Sequence, residues 1–532
     1  MRHTLYQSLW KGQTLISTND TKYGNLTVLK KDEQYTLLEN NSIFITYPDA
    51  ESAEEKVHFA MVQHQNPKTI LILGGSALES LGEILKYDVD QIHYVELDPE
   101  TINTLERYFP DYSRKALEDR RVQIHLSDPR TYIGSVKDKF DMVILNIPDP
   151  VNIQINRLYT KEFFKKVSRV LNPGGVFSFS ISASENFLTT DEARLLKCLE
   201  NTVSSVFLNT IIIPGRTCHF ISSQDRGYLT QSPEFILKRL ADRGIQTIYV
   251  SPYFLPFRLS ADRISYFNSL LREQKEVSLN TDLKPVCYFY DMVLWSSKMK
   301  SKTKSVFMKI STIKFKIIVM AIFILFIIIK ILPGKKKIYI HLIQLYFLGL
   351  SLLSMEIILL IMFQVVIGYL YSYLGILISL FMIGLAVGSM FIHRRRLNYS
   401  IGTKAITKFL IRYVILITIY LVTFKFLVLW ESNPLPDYLV IIIFFVIAYF
   451  SGFLGGSIFV LASKMYIRSK QESGRSYLSP SGIVYGFDLF GSCLGALITS
   501  SILIPVYGLE KSLSILVILM IMTLSLNLKI RD

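Results

Sequence analysis

From residue 315 onward, seven apolar stretches follow one another, near 315–332, 341–364, 370–392, 409–429, 437–462, 483–506 and 511–528. Most reach the ~20 residues that a helix needs to cross a hydrocarbon core of ~30 Å. A water-soluble core has no use for seven such segments in series. The C-terminal half, 317–532, therefore reads as an all-α multi-pass transmembrane bundle of six or seven spans, with the lipid bilayer as its partner. Small residues four apart, at Gly384/Gly388, Gly452/Gly456 and Gly491/Gly495, let helix backbones approach closely. Two acids, Glu356 and Asp488, fall inside these spans. A carboxylate at mid-membrane costs at least ~2.5 kcal/mol on insertion scales, so each is expected to face the bundle, in a polar path or a structural interhelical hydrogen bond.

The remaining sequence properties follow from that division. A formal charge of +15 could suggest nucleic acid, but Lys314 and Lys316, Lys335 to Lys337 and Arg394 to Arg396 flank apolar stretches, as membrane topology requires. No nucleic-acid partner is expected. Cys198, Cys218, Cys287 and Cys493 are scattered, without a paired motif or a histidine cluster, so free thiols and no metal site are expected. The N-terminal residues lack a long apolar run, which implies no cleavable export signal and a cytoplasmic location for the first 300 residues. The basic loops after 392 and 462 belong on the cytoplasmic side, together with Lys335 to Lys337. Were 315–332 to span, the N-terminal half would lie outside. Its strictly apolar core, Ile317 to Ile329, is short and lysine-flanked, so it reads as a shallow or re-entrant segment.

The N-terminal half is soluble in character. Residues 1–50 carry short β-rich runs (TLIS, NLTVLKK, YTLLE, SIFITY) separated by polar turns, the pattern of a small antiparallel sheet. From Ile70 strands and helices alternate: TILIL, QIHYVEL, VQIHL, FDMVIL and GVFSFSIS, with helices between them. Such alternation predicts an α/β Rossmann-like domain of the methyltransferase type over 51–295, its ligand crevice at the carboxyl ends of the parallel strands. A basic linker at 296–316 follows.

Three of those strand ends carry chemistry. Gly74-Gly75 permits a tight turn and close backbone approach at a helix N-terminus. Glu96, about 20 residues later, is where a ribose diol would be held, since a carboxylate accepts both hydroxyl hydrogens. Asp128 stands where it can accept from an adenine amino group. The alternative is that the glycines make an ordinary turn and that Glu96 and Asp98 cap the next helix. The fourth strand runs into Asn146-Ile-Pro-Asp149-Pro150.

VELDPETI, the N-x-x-D-P segment, LYTKEFF, LNPGGVFSFS and NTDLKPVCYFYDMVLW occur in that order. Together they resemble the polyamine aminopropyltransferases, the spermidine synthase family, and especially their membrane-fused bacterial branch, over residues 10 to 295. The resemblance implies an enzyme with no prosthetic group. Decarboxylated S-adenosylmethionine would be its co-substrate and a small amine such as putrescine its acceptor. By position it implies that Asn25 is the nearest substitute for a donor-contacting glutamine and that Glu96 holds the ribose beside Asp128. Glu54 and His58 fall in the segment lining the amine pocket, and Asp149 matches a polyamine-contacting acid with Tyr159 nearby. His58 equally fits a packed or surface histidine.

The chain departs from that pattern in two places. The base position is Asn146, and an amide accepts no proton at physiological pH. The pocket aspartate of the glycine loop is replaced by Ala77. Asp149, aided by Glu79, is then the candidate base or ammonium ligand. Two other readings stay open: methyl transfer from S-adenosylmethionine itself, and a non-catalytic nucleotide or polyamine sensor coupled to a membrane transport module. The acceptor, the oligomeric state and the role of the bundle are not legible in these residues.

Overall fold

The computed structural model describes residues 10, 12–75, 78–109, 115–185, 187–225, 229–275, 277–298, 309–310, 313–331, 337–368, 371–394, 399–429, 436–472 and 480–528. The loop position Ala77, most of the basic linker, Lys335 and Lys336, and Arg395 and Arg396 lie outside the described residues. The contacts divide the chain into two units, one of residues 1–281 with 290–294 and one of residues 282–289 with 295–532.

In the first unit, β1 (Thr14–Asp20), β2 (Asn25–Lys31), β3 (Gln34–Glu39) and β4 (Ser42–Tyr47) form an antiparallel sheet in chain order. Its turns are tight, with Asp32, Asn40 and Asn41 at positive φ, which short polar side chains tolerate best. Helix α1 (Ala50–Met61) leads to a seven-stranded sheet. This contains β5 (Thr69–Leu73), β6 (Gln91–Glu96), β7 (Val122–Leu126), β8 (Phe140–Leu145), β9 (Leu171–Ser182), β10 (Asn209–Ile213) and β11 (Thr217–Ser223), in the order β10-β11-β9-β8-β5-β6-β7. Pairings from β9 to β7 are parallel, and β10 and β11 are antiparallel. The central strand β5 is apolar without alternation because both faces are covered: Ile70, Leu71, Ile72 and Leu73 are all fully buried. Expected and observed strands coincide from β1 to β9. The β10–β11 hairpin was not anticipated, although its β-branched runs flank a Pro214-Gly215 turn.

Helices α2 (Leu78–Ile84), α3 (Pro99–Tyr108), α4 (Pro129–Ser135), α5 (Lys161–Val170) and α6 (Thr190–Ser204) are placed between successive strands. Two of them begin Asp-Pro. Asp98 accepts from the Glu100 N–H, and Asp128 from the N–H groups of Arg130 and Thr131. Each carboxylate satisfies otherwise orphaned donors while proline fixes the first helical φ.

The second unit contains α7 (Phe315–Ile331), α8 (Lys337–Val366), α9 (Tyr371–His393), α10 (Tyr399–Leu429), α11 (Asp437–Glu472), α12 (Pro480–Ile498) and α13 (Gly508–Leu528). A π-helical segment, Thr499–Tyr507, joins the last two. Five stretches among the described residues are long and apolar enough to cross a membrane, the last running from Pro480 to Asn527; α7 is not among them. That last stretch doubles back. A Cβ on Gly491 would sit 2.0 Å from the Tyr346 carbonyl, and Gln344 donates to Asn527 Oδ1 at 2.6 Å. Positions 491 and 527 thus lie at one level of α8, whereas 36 residues of unbroken helix would extend about 54 Å. Reversal occurs at Gly508, φ +83°, three residues after Pro505. The five stretches therefore form six arms.

The small-residue pairs explain the tightest packing. Gly384 and Gly388 on α9 face Gly452 and Gly456 on α11, and a Cβ at any of the four would fall 2.0–2.2 Å from a carbonyl oxygen of the opposite helix. Gly491 and Gly495 seat α12 on α8 in the same way. Gly388→Leu is expected to separate α9 from α11 and lower the thermal midpoint of the detergent-solubilised chain by several degrees, whereas Gly375→Leu, which meets open space, leaves it unchanged.

Candidate active site

Adjacent parallel strands β8, β5, β6 and β7 place Asn146, Gly74-Gly75, Glu96 and Asp128 along one sheet edge. Hydrogen bonds beyond the ladder lock three of these ends: Gly74 N–H to the Val95 carbonyl at 2.8 Å, Asn146 N–H to the Leu73 carbonyl at 3.0 Å, and Asn146 Nδ2 to the Gly75 carbonyl at 3.0 Å. Gly74 and Gly75 both have positive φ, and a Cβ on Gly75 would coincide with the Asn146 carbonyl oxygen at 1.3 Å. Position 75 must be glycine for β5 and β8 to meet.

Glu96 is buried. Its Oε2 accepts from the Tyr94 hydroxyl at 2.9 Å, and its Oε1 from the N–H groups of Leu97 and Asp98 at 2.8 and 3.3 Å. Asp98, not Glu96, caps the next helix. Glu39 on β3 lies close enough to Glu96 and Asp98 that burial, and then these two charges, push its carboxyl up to about 7. Asn25 sits in the β1–β2 ladder, where its amide donates to Thr18 and Asp20. Asp128 spends one oxygen on its helix cap and pairs the other with Arg157.

A cavity of about 190 Å³ opens beside the Gly75–Asn146 junction, walled by β4, the start of α1 and the start of α2. Asp49, Ser52, Ala53 and Lys56 line it at spacing i, i+3, i+4 and i+7, one face of a helix. Opposite stands Glu79, whose Oε1 accepts the Asp49 N–H at 2.8 Å. Burial pushes Glu79 up to about 7 against the pull of that N–H, while burial lowers Lys56 against the fields of Asp49, Glu79 and Asp149.

Glu54 and His58, expected at an amine pocket, do not line this cavity. Glu54 is buried, and its carboxylate accepts the N–H groups of Ile248, Tyr249 and Val250 at 2.8, 2.8 and 3.0 Å. It anchors a loop on another face of α1. His58 is fully buried between the Tyr87 hydroxyl at 2.8 Å and Glu83 at 2.9 Å, which makes it the packed histidine of the alternative reading. Tyr159 is buried, and its hydroxyl donates to the Ile147 and Pro148 carbonyls at 3.2 and 3.0 Å. It shapes the loop that presents Asp149, which accepts the Ser182 N–H at 3.1 Å. The sequence reading missed Asp49, Lys56 and Glu39. The first two carried a signal in their helical spacing; Glu39 had none, because only folding brings β3 over β6.

In the other unit, Asp488 packs against Gly349. Glu356 lies seven positions further along α8, and the structure does not join the two acids. Buried polar contacts among the described residues of this unit include those that link His341, Gln344 and Asn527 and the bond from Thr499 to Ser354.

The family described as spermine/spermidine synthase domain matches residues 52–221. A polyamine aminopropyltransferase of Pyrobaculum neutrophilum is 31% identical over 215 residues, 38% of this chain and 73% of that protein. One from Korarchaeum cryptofilum is 37% identical over 123 residues, 23% of this chain and 38% of the relative; with the Nitrosomonas europaea enzyme the match spans 47% of the relative. The chain thus spans under half the length of these last two curated relatives. A spermidine synthase structure from Thermotoga maritima aligns with a TM-score of 0.42 at 20% identity, over 49% of this chain and 88% of that one.

The raised Glu39 carboxyl makes a prediction about stability. Its native value, about 7, lies above the unfolded value of 4.5, so the folded state holds the extra proton between them and the stability contributed falls as pH rises through that window. Glu39→Gln should raise the thermal midpoint at pH 8 relative to the parent chain and leave it unchanged at pH 4.5.

Proposed function

Because this chain belongs to the polyamine aminopropyltransferase family, we propose that it transfers an aminopropyl group from decarboxylated S-adenosylmethionine to a small aliphatic amine, putrescine being the reference acceptor. The observation that carries this reading is the alignment of Glu96, Asn146 and the Glu79-Asp49 cavity along one sheet edge. Glu96 would accept the ribose hydroxyls, with Asn25, Gly74, Gly75 and Asp128 completing the donor site. The acceptor amine would enter the cavity and attack the methylene next to the sulfonium. A C–N bond forms, the C–S bond breaks with its electron pair leaving on sulfur, and methylthioadenosine departs.

The attacking amine must lose a proton, and Asn146 cannot take it. Asp49 and Glu79 line the cavity and Asp149 lies close to it; of these Glu79, its carboxyl pushed up to about 7, is well matched to proton transfer at neutral pH. Tyr159 acts as a positioning residue for the Asp149 loop. Asn146 also supports a second reading, the non-catalytic sensor, since the family's base position here holds an amide. Incubation with the decarboxylated donor and amines should release methylthioadenosine, with kcat/KM rising through about pH 7. Glu79→Gln should flatten that rise and Asp149→Asn should lower kcat at least tenfold, both with nucleoside affinity retained. Absence of release with every amine favours the sensor, and S-adenosylhomocysteine formed from S-adenosylmethionine favours methyl transfer.

We also infer that residues 337–528 cross a membrane six times with the basic loops and the N-terminal unit in the cytoplasm. Six apolar arms and the lysine- and arginine-rich loops between them support this reading. In inside-out vesicles a protease added outside should remove an N-terminal tag; protection there, with cleavage in right-side-out vesicles, reverses the orientation.

A further inference from the structure

The acceptor cavity carries both signs of charge. Lys56 lines it from the second turn of α1; among the described residues its ammonium makes no hydrogen bond or ion pair, and Asp49, Glu79 and Asp149 act on it through their fields alone. Asp49 and Glu79 line the same space. One Asp49 oxygen caps the Ser52 N–H and one Glu79 oxygen holds the Asp49 N–H, which leaves each carboxylate a second oxygen. A dicationic diamine entering here would set one of its ammonium groups against Lys56, and like charges in a partly desolvated cavity repel strongly. An acceptor with one amine and one carboxylate offers each sign a counterpart: its amine meets the acids and its carboxylate meets the three Lys56 donors.

Resting on the aminopropyl-transfer reading, we propose that the acceptor is an amino-carboxylate, an aliphatic amine bearing a carboxylate at its far end, and that Lys56 is the residue that selects it. The reacting nitrogen is the same in kind. It forms the new C–N bond, its proton passes to a carboxylate of the cavity, and methylthioadenosine leaves as before. Lys56 touches only the far end. Burial depresses the Lys56 ammonium, so an anionic partner stabilises it more than it would a lysine in water.

The test uses the full chain in detergent, with decarboxylated donor and either 4-aminobutyrate or putrescine, reading methylthioadenosine. The expected kcat/KM is at least tenfold higher for 4-aminobutyrate. Lys56→Met should reverse that preference and Lys56→Arg should keep it, with the affinity for methylthioadenosine unchanged in both as evidence of folding. Putrescine preferred by the parent chain, or a preference untouched by Lys56→Met, overturns the proposal while leaving aminopropyl transfer standing. If neither acceptor yields product, titration calorimetry of the same two compounds into the methylthioadenosine-loaded chain judges the cavity independently of the transfer reading. Tighter 4-aminobutyrate, lost in Lys56→Met, supports an amino-carboxylate site; tighter putrescine, or no binding of either, overturns it.

Discussion

The junction between Gly75 and Asn146 holds the candidate site together. Two parallel strands separated by most of the α/β crossovers in sequence are joined by an amide that donates to a glycine carbonyl at 3.0 Å, in a space that excludes a Cβ. The donor at this position is the side-chain N–H of asparagine. An ionised aspartate is an acceptor only and could not make the same bond. The asparagine at the position where the resemblance implies a base thus ties the glycine turn to the neighbouring strand, and under the proposed transfer the proton passes to another group. Glu79, brought to the cavity by the first turn of α2, is the carboxylate proposed to take it.

Most of the architecture was legible because its signals are local. TILIL and FDMVIL are short unbroken apolar runs between turn residues, which parallel strands covered on both faces require. Asp98-Pro99 and Asp128-Pro129 announce helix starts, and both residues serve as caps in the fold. The β10–β11 hairpin was readable in principle from Pro214-Gly215 between two β-branched runs. Site residues were harder. Glu96 stands at a strand end that counting from the glycine turn reaches, but for Glu54 and His58 the resemblance points only to a segment, and an α-helix sends neighbours to different faces. The face that meets the cavity is 49, 52, 53 and 56; Glu54 turns to the 248–250 loop and His58 into the core. Glu39 was invisible to sequence reasoning because its neighbours Glu96 and Asp98 come from another sheet.

The helical unit depends on close approach more than on apolar bulk. Four glycines join α9 to α11 and two more seat α12 on α8, which suits a solvent in which one apolar surface is no better than another and dispersion and polar contacts decide the partner. Seven apolar stretches in the sequence become six arms and the shorter α7, because length and composition alone distinguish a 17-residue helix from its neighbours.

The reversal at Gly508 has a consequence for the second unit. With its arms even in number, the chain leaves from the level at which it came in: Gln344, two turns past the beginning of α8, is bonded to Asn527. Start and finish of the bundle are neighbours, so a group grafted after Asn527 would emerge beside the segment that opens α8.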